Sequence, residues 1–493
     1  MNKPLRRIAL FCGLLVLALL IRDNWLQYVQ ADTLKEDPKN RRVAIARYAT
    51  PRGDIIVDGD PITGYAKSDD NSLNDYKYKR TYKNGPMWAP VTGFASQAYD
   101  ATQLEKLEDG ILTGNDDRLF FRNTLDMITG KPKQGGNVVT TLSLAAQKAA
   151  FKGLGNKKGA VAAIDPQTGA ILALASTPSY DPSTIAGMTD EKEWKALQKE
   201  NNPDEPMLNR ALRQTYPPGS TFKVVTAAAA LENGLYTDAD TKTDSPLPYN
   251  LPTTRTPLKN EGPIPCKDAT MRVALKVSCN TVFGKIGADL GRDKMLEEAE
   301  KFGFNDAKID TPVRAAASNF SKTMDKPQTA LSSIGQFETA ATPLQMAMVA
   351  SAVANDGTLM KPYMVSKVST HNLDVIEQTE PQEMSKPLSE KNAQILQSMM
   401  ETVVNDPQGT GNNARISNVT VGGKTGTAQH GVGNSEKPYA WFISYAKLSD
   451  NSSPVAVAVV VEDGSANRGD ISGGGLAAPI ARSVMKAVID SKK

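Results

Sequence analysis

The fold is decided by Tyr216-Pro217-Pro218-Gly219-Ser220-Thr221-Phe222-Lys223, a run that leads into the apolar segment 224–232. Two prolines and a glycine cannot continue a helix towards the N-terminus, and Asn233-Gly234 is an ordinary helix stop. The sequence therefore predicts a buried helix over about residues 220–232, with Ser220 in its first turn.

Ser220 and Lys223 form an S-x-x-K pair, and residues three apart share a helix face, so the lysine amine could reach the serine hydroxyl. The helix N-terminus would supply unpaired N–H donors and partial positive charge for a developing oxyanion. The pattern recurs at Ser444, in a strand-like run, and at Ser483, in the middle of a predicted helix. Only Ser220 opens a helix, which makes it the candidate nucleophile with Lys223 as its base.

Length and composition narrow the function classes. The 493 residues are enough for at least two domains. The 57 basic and 54 acidic residues give a net charge of +3 without a basic tract, which argues against nucleic acid as a partner. The chain has only two histidines, His371 and His430, so a Ser-His-Asp triad or a histidine-ligated metal is disfavoured. We expect no metal and no cofactor, and a lysine base.

A basic N-terminus precedes an uninterrupted apolar run at residues 8–21. As a helix this run spans roughly 21 Å, less than the roughly 30 Å hydrocarbon core, so a cleaved signal peptide is an alternative. Its plausible cut site, residues 29–31, lies well beyond the run, and residues 25–29 could extend the helix into an aromatic interface belt. We expect an uncleaved single-pass anchor in the cell membrane, with the N-terminus inside and the catalytic domain extracytoplasmic.

The rest of the chain divides at Gly135-Gly136. Residues 31–136 are polar and turn-rich with short strand-like and amphipathic pieces, which is typical of an α+β spacer. The predicted domains are therefore an anchor at 1–30, a pedestal at 31–136 and a catalytic domain at 137–493.

The catalytic domain is predicted to be an α/β sandwich, because five strand-like runs are flanked by helices. The middle, residues 221–406, is mostly helical by pattern, so the nucleophile helix would belong to an inserted helical lobe. The predicted strands lie at 160–164, 170–175, 419–422, 440–446 and 455–461, between a helix at 141–152 and a terminal helix at 476–489.

A second motif, Lys424-Thr425-Gly426-Thr427, follows the predicted strand 419–422 and contains the only K-T-G in the chain. The glycine would let a substrate backbone lie against the strand edge, the threonine hydroxyls could bind a carboxylate, and the lysine adds positive potential. A second lysine near Lys223 would also help to keep one of the two amines neutral.

A third motif, Ser278-Cys279-Asn280, is the only S-x-N match between the other two motifs. It interrupts two helical runs, where polar side chains can face a cleft. Cys279 and Cys266 are the only cysteines outside the N-terminal apolar run. Outside the cytoplasm they could form a disulfide worth about 3 kcal/mol, although a free buried pair fits the sequence equally well.

The motifs S-x-x-K, S-x-N and K-T-G, in this order, resemble the penicillin-binding protein and serine β-lactamase superfamily. The likeness extends over residues 159–176, 333–336, 342–345 and 424–429, and Arg52-Gly53-Asp54-Ile55 is similar to the start of that family's pedestal domain. With one anchor and no glycosyltransferase-sized segment, the chain resembles a class B enzyme.

This resemblance implies a five-stranded antiparallel sheet with helices on both faces plus a helical lobe. It implies a D,D-transpeptidase that is acylated by the terminal D-Ala-D-Ala of peptidoglycan stem peptides, is inhibited by β-lactam antibiotics, and works with a SEDS-type glycosyltransferase. The implied roles are nucleophile for Ser220, base for Lys223, proton relay for Ser278, amide binding for Asn280, carboxylate binding for Lys424, Thr425 and Thr427, and an oxyanion hole from the backbone N–H groups of Ser220 and Thr427.

Rival functions share this fold. A D,D-carboxypeptidase has the same acylation step and remains open, whereas a β-lactamase needs a dedicated deacylating base that the sequence does not reveal. A β-lactam sensor needs a partner region across the membrane, yet only about seven residues precede the anchor. A silent scaffold should have lost a motif residue, and none is missing. The sequence therefore favours the transpeptidase.

Overall fold

The computed structural model describes residues 3–35, 37, 40–68, 76–119, 133–200, 202–431, 435–462 and 471–492. Its strands are β1 (Ile55–Val57), β2 (Asp60–Pro61), β3 (Thr63–Lys67), β4 (Tyr78–Tyr82), β5 (Ala95–Ser96), β6 (Asp100–Ala101), β7 (Asn137–Thr140), β8 (Gly159–Ile164), β9 (Ile171–Thr177), β10 (Tyr249–Asn250), β11 (Pro257–Leu258), β12 (Leu359–Met360), β13 (Val365–Ser369), β14 (Val375–Gln378), β15 (Glu383–Ser385), β16 (Thr420–Ala428), β17 (Tyr439–Lys447) and β18 (Val455–Val461).

The α-helices lie before, between and after these strands along the chain. They are α1 (Lys3–Asn24), α2 (Ala31–Lys35), α3 (Arg41–Ala49), α4 (Gly85–Thr92), α5 (Gln103–Leu107), α6 (Asp109–Thr113), α7 (Leu144–Leu154), α8 (Glu191–Leu197), α9 (Arg210–Arg213), α10 (Lys223–Glu232), α11 (Met271–Lys276), α12 (Asn280–Leu290), α13 (Arg292–Lys301), α14 (Lys326–Ser332), α15 (Pro343–Ala354), α16 (Glu390–Asn405) and α17 (Ala478–Ser491).

The predicted catalytic domain is built on an antiparallel sheet in the order β16-β17-β18-β8-β9. Its strand β18 reads Val-Ala-Val-Ala-Val-Val-Val and is buried throughout, as expected for a β-branched strand covered on both faces. Helices α7 and α17 pack on one face, and α15 packs on the other. The predicted five-stranded sandwich is confirmed.

Strand β16 is longer than the sequence indicated. The predicted strand ended at Gly422, but pairing with β17 continues residue by residue from Thr420 to Ala428, so the K-T-G motif lies within the strand. Alternating glycines and threonines have no apolar periodicity, and only the partner strand makes this extension favourable. The motif therefore occupies an edge of the sheet, where every second residue leaves its backbone groups without a strand partner.

The helix that the sequence predicts to carry the nucleophile lies in the helical lobe, as expected. Ser220 sits in a 3-10 turn, Gly219–Phe222, and α10 begins at Lys223. Helix α10 is buried from Lys223 to Leu231 and packs against α12, α13 and α16. Its four consecutive alanines, 227–230, allow neighbouring helices to approach closely.

The pedestal is organised around the buried carboxylate of Glu105. Arg80 binds one of its oxygens at 2.6 Å, Arg52 binds the other at 3.0 Å, and Arg52 also reaches Asp109 at 2.6 Å. A buried charge is stable only when it is paired in this way. Arg52 of the Arg52-Gly53-Asp54 tripeptide is therefore a buried structural residue.

One sheet connects the pedestal to the catalytic region. Its order is β14-β13-β7-β1-β2, with β1 parallel to β7 and β7 antiparallel to β13. Strands β7, β13 and β14 all follow residue 136, whereas β1 and β2 precede it. The two parts of the chain thus share backbone hydrogen bonds.

The N-terminal helix is longer than its apolar run. Helix α1 continues through a π-helical turn, Trp25–Val29, to give 27 residues, or about 40 Å. By length and composition it is able to cross a membrane, although an export signal has the same properties. None of it is buried against the rest of the chain.

The turn Gly219–Phe222, which carries the predicted nucleophile Ser220 and is called the nucleophile turn below, is held by the loop after α14. The N–H of Gly219 donates to the carbonyl of Gly335 at 3.0 Å. Gly335 has a φ of +72°, and a Cβ built on it would lie 2.1 Å from the carbonyl oxygen of Gly219. The two backbones can approach this closely only because residue 335 lacks a side chain.

We predict that Gly335→Ala lowers the free energy of unfolding clearly more than Gly234→Ala. Both positions have positive φ, which costs about 1–3 kcal/mol for alanine, but a Cβ at Gly234 (φ +66°) meets nothing within 4 Å. Urea denaturation of the detergent-solubilised chain measures the difference. Equal losses in the two variants would show that the contact with Gly219 is not tight.

Candidate active site

The turn that carries Ser220 is fixed from both sides. The indole N–H of Trp441 donates to the carbonyl of Pro217 at 3.0 Å, and the hydroxyl of Thr221 donates to the carbonyl of Pro218 at 2.7 Å. The Ser220 side chain is only partly buried, and its hydroxyl makes no hydrogen bond to any residue that the structure describes. A held backbone with an unengaged hydroxyl suits a nucleophile that awaits a substrate.

Lys223 is fully buried, and its amine is surrounded by oxygens of the S-x-N motif. Its Nζ lies 2.8 Å from the carbonyl oxygen of Ser278, 3.1 Å from the Ser278 hydroxyl and 2.7 Å from Oδ1 of Asn280. The sequence led us to expect the amine at the Ser220 hydroxyl. Within the described part of the chain the amine hydrogen-bonds instead to the S-x-N segment. The prediction missed these bonds because it considered only residues on the same helix, whereas the acceptors lie on a second segment.

The Ser278 hydroxyl joins the three motifs. It lies 3.1 Å from Nζ of Lys223 and 3.0 Å from Nζ of Lys424, and Lys424 also donates to the carbonyl of Thr425 at 2.9 Å. The backbone of Ser278 has a φ of +65°, a conformation that costs about 1–3 kcal/mol and persists only where the surroundings enforce it. The structure thus brings the side chains of Lys223, Ser278 and Lys424 together, whereas the Ser220 hydroxyl is not hydrogen-bonded to any of them.

Burial sets the protonation of both lysines. It lowers the pKa of Lys223 well below its usual value, and the neighbouring charge of Lys424 lowers it further. Burial also lowers the pKa of Lys424, to about 7. The carboxylate of Glu261 opposes both shifts. At least one of the two amines is therefore available as a base near neutral pH.

The K-T-G strand packs directly on the nucleophile turn. A Cβ on Gly426 would lie 3.0 Å from the carbonyl oxygen of Pro218, so this glycine admits the turn as well as any substrate. The hydroxyl of Thr425 lies 2.7 Å from that of Thr410, whereas the side chain of Thr427 is partly exposed. Thr410 was not predicted, because no spacing links it to the motifs.

Asn260 is a second residue that the sequence did not reveal. Cys279 is the N-cap of α12 but makes no side-chain cap. Oδ1 of Asn260 replaces it by accepting the N–H groups of Asn280 at 2.8 Å and Thr281 at 3.0 Å. Nδ2 of Asn280 in turn donates to the carbonyl of Lys259 at 2.8 Å. The S-x-N helix is thus capped by a loop twenty residues upstream, which leaves no local sequence signal.

The same loop contains Cys266, one of the two cysteines outside the N-terminal helix. The structure joins Cys266 to Cys279 by a disulfide, so the loop is bonded covalently to the residue between Ser278 and Asn280. The disulfide and the Asn260 cap therefore hold one segment against the S-x-N motif.

The other two S-x-x-K pairs do not form sites. Ser444 lies in β17 and is fully buried, with Sδ of Met485 3.5 Å from its hydroxyl. Ser483 lies in α17 and its hydroxyl donates to the carbonyl of Pro479 at 2.9 Å. Their lysines bind elsewhere, Lys447 to Gln397 and Lys486 to Asp490.

Comparison with known proteins identifies this arrangement. Residues 159–486 match the penicillin binding protein transpeptidase domain, and residues 52–138 match the penicillin binding protein A dimerisation domain. The chain is similar to the peptidoglycan D,D-transpeptidase PbpA of Mycolicibacterium smegmatis, with 39% identity over 503 residues covering 99% of each chain. It is also similar to PbpA of Mycobacterium tuberculosis H37Rv, with 38% identity over 502 residues covering 100% of each.

Solved structures of a relative have the same fold as this chain. Penicillin-binding protein A of M. tuberculosis as a ceftriaxone acyl-enzyme complex matches with a TM-score of 0.84 and 37% identity, covering 90% of this chain and 100% of that chain. Its penicillin G acyl-enzyme complex matches with a TM-score of 0.81 and 37% identity, covering 89% and 100%. The chain matches these relatives both in sequence over its full length and in the fold of about nine-tenths of its residues. It therefore belongs to the class B penicillin-binding proteins, the family of transpeptidases with a pedestal domain.

Proposed function

We propose that this protein is a peptidoglycan D,D-transpeptidase with Ser220 as nucleophile and Lys223 as base. The observation that carries the proposal is the Ser278 hydroxyl, which lies about equally far from the amines of Lys223 and Lys424 and so connects all three motifs. Two relatives of nearly the same length bear the name peptidoglycan D,D-transpeptidase, and a solved relative forms acyl-enzymes with β-lactams.

The contacts of Lys223 suit a neutral amine. A neutral amine has two N–H donors, which match the carbonyl oxygens of Ser278 and Asn280. Its lone pair is then left to accept a proton. The Ser278 hydroxyl can donate to that lone pair while it accepts from Lys424, which gives a path for a proton between the two lysines.

Acylation follows from this arrangement. Oγ of Ser220 attacks the carbonyl carbon of the penultimate D-Ala, and its proton passes to Lys223. The C–N bond then breaks, and the leaving D-Ala amine takes a proton through Ser278. Backbone N–H groups of Ser220 and Thr427 would stabilise the oxyanion, while Asn280 binds a substrate amide. The terminal carboxylate would be held by Lys424, Thr425 and Thr427.

Deacylation decides between transpeptidase and carboxypeptidase. An acceptor amine reverses the geometry of acylation, so Lys223 can take its proton and return one to Ser220. The new amide bond forms as the ester bond to Ser220 breaks. Attack by water would instead make the protein a D,D-carboxypeptidase, which is the second candidate because it uses the same acylation residues.

The rest of the chain suits work at the cell wall. We propose an anchor at 1–30 with the N-terminus in the cytoplasm, a pedestal at 31–136, and an extracytoplasmic catalytic domain at 137–493. The apolar helix Lys3–Val29 supports the anchor. Peptidoglycan stem peptides would be the substrates, β-lactams the covalent inhibitors, and a SEDS-type glycosyltransferase the membrane partner.

We predict that Ser220→Ala abolishes covalent labelling by a fluorescent penicillin, because Ser220 is the proposed nucleophile and its hydroxyl is unengaged, whereas the Ser278 hydroxyl is held between Lys223 and Lys424. Labelling is read on a denaturing gel. Ser483→Ala, which alters an exposed S-x-x-K serine, serves as the control and should keep the label. Labelling of the Ser220→Ala protein would refute the assignment.

We predict that Lys424→Met moves the acid limb of the acylation rate to higher pH. The base must be neutral, so the rate falls as pH drops through the pKa of Lys223. The positive charge of Lys424 lowers that pKa, and its removal lets the pKa rise. The rate of penicillin acylation is measured against pH, with Lys447→Met as the control. An unmoved limb, or one displaced to lower pH, would contradict the coupling of the two lysines.

We predict that the acyl-enzyme prefers an amine to water. A thioester donor is supplied with and without a D-amino acid, and the aminolysis and hydrolysis products are separated by chromatography. Transpeptidation requires that the added amine captures a large share of the acyl group. Rapid hydrolysis without capture would instead establish the carboxypeptidase.

A further inference from the structure

The loop before α11 is fixed to the active site at three points. Asn260 caps α12, the carbonyl of Lys259 accepts from Asn280, and the disulfide Cys266–Cys279 closes the loop. Asn260 also donates to the hydroxyl of Thr281 at 3.2 Å. These contacts hold the backbone of residues 259–260 against Asn280, whose side-chain oxygen binds the amine of Lys223. The residue that follows Asn260 is therefore held close to the S-x-N motif.

The residue that follows is Glu261. Its side chain is exposed, and it makes no hydrogen bond or ion pair with any described residue. Among the described residues it is the one acid whose charge acts on both Lys223 and Lys424. The groups on which its charge acts are the neutral amine of Lys223 and the amine of Lys424, whose pKa is about 7. Glu261 is thus an unpaired carboxylate beside a basic cleft.

The second substrate of the proposed reaction has the charge that this carboxylate would attract. A primary amine on a peptide side chain has a pKa of roughly 10 and arrives as an ammonium at neutral pH. The positive charge of protonated Lys424 would repel that ammonium, whereas the carboxylate of Glu261 offsets the repulsion. The donor peptide, in contrast, needs only the lysine side of the cleft for its terminal carboxylate.

We propose that Glu261 binds the ammonium group of the acceptor peptide and so directs the acyl group to an amine instead of water. The inference rests on the proposed transpeptidase function. The bound ammonium releases a proton to solvent, and the neutral amine attacks the ester carbonyl. The C–N bond forms, the bond to Oγ of Ser220 breaks, and the second amine proton returns to that oxygen through Lys223.

The experiment compares two acceptors on the full-length, detergent-solubilised protein. D-alanine amide is largely an ammonium at neutral pH, whereas hydroxylamine is uncharged but still a nucleophile. For Glu261→Gln we expect the ratio of aminolysis to hydrolysis to fall about fivefold with D-alanine amide, the size of a partly exposed ion pair. We expect no change with hydroxylamine. Added salt should lower the wild-type ratio for D-alanine amide in the same direction.

The matched control is Glu338→Gln. Glu338 is an exposed glutamate on the loop that follows Gly335, and its removal changes the net charge equally. It should leave both ratios unchanged. Glu261→Gln also removes a charge that raises the pKa of both lysines. Both acceptors use the same base, so a change in base strength would affect both ratios. The hydroxylamine arm therefore separates acceptor binding from base strength.

The outcomes separate this inference from the function it rests on. If wild-type protein transfers its acyl group to neither acceptor, the transpeptidase proposal fails. If wild-type protein uses both acceptors and Glu261→Gln retains its ratio with D-alanine amide, the acceptor site is refuted. An equal fall in the aminolysis-to-hydrolysis ratio with both acceptors would also refute it, because Glu261 would then act on the base. A lower rate of hydrolysis alone would refute it too, because Glu261 would then act on water. Retained penicillin labelling shows that the variant is folded.

Discussion

Two buried lysine amines on either side of one serine hydroxyl impose the constraint that the rest of this structure satisfies. Charging both amines in a dry cleft is unfavourable, so burial and mutual repulsion lower the pKa of Lys223. The neutral amine is useful only if it keeps its orientation. The carbonyls of Ser278 and Asn280 provide that orientation, and the left-handed backbone of Ser278 is one cost of it.

The architecture around the site maintains this contact between separate segments. Lys223 begins a helix of the lobe, Lys424 lies on an edge strand of the sheet, and Ser278 lies between two further helices. The glycines Gly335 and Gly426 let the nucleophile turn approach its neighbours, and Asn260 with the disulfide fixes the S-x-N helix. Each of these contacts restrains one segment relative to another.

The pedestal is coupled to the catalytic region through backbone pairing. A sheet that includes strands on both sides of residue 136 resists independent movement more than a polar interface would, because its hydrogen bonds are main-chain bonds. The buried Arg52–Glu105–Arg80 cluster lies beside β1 in the pedestal part of this unit.

The sequence by itself determined the sandwich, the helical lobe, the anchor-like N-terminal helix and the three motifs, because periodicity, helix stops and rare local patterns are properties of neighbouring residues. It did not determine the full length of β16, whose pairing depends on β17, or the partner of the Lys223 amine. It also did not reveal Asn260, Thr410 or Glu261, or decide whether Cys266 and Cys279 are joined. Only the tertiary structure decided these points, because each depends on atoms far apart in the chain that meet when it folds.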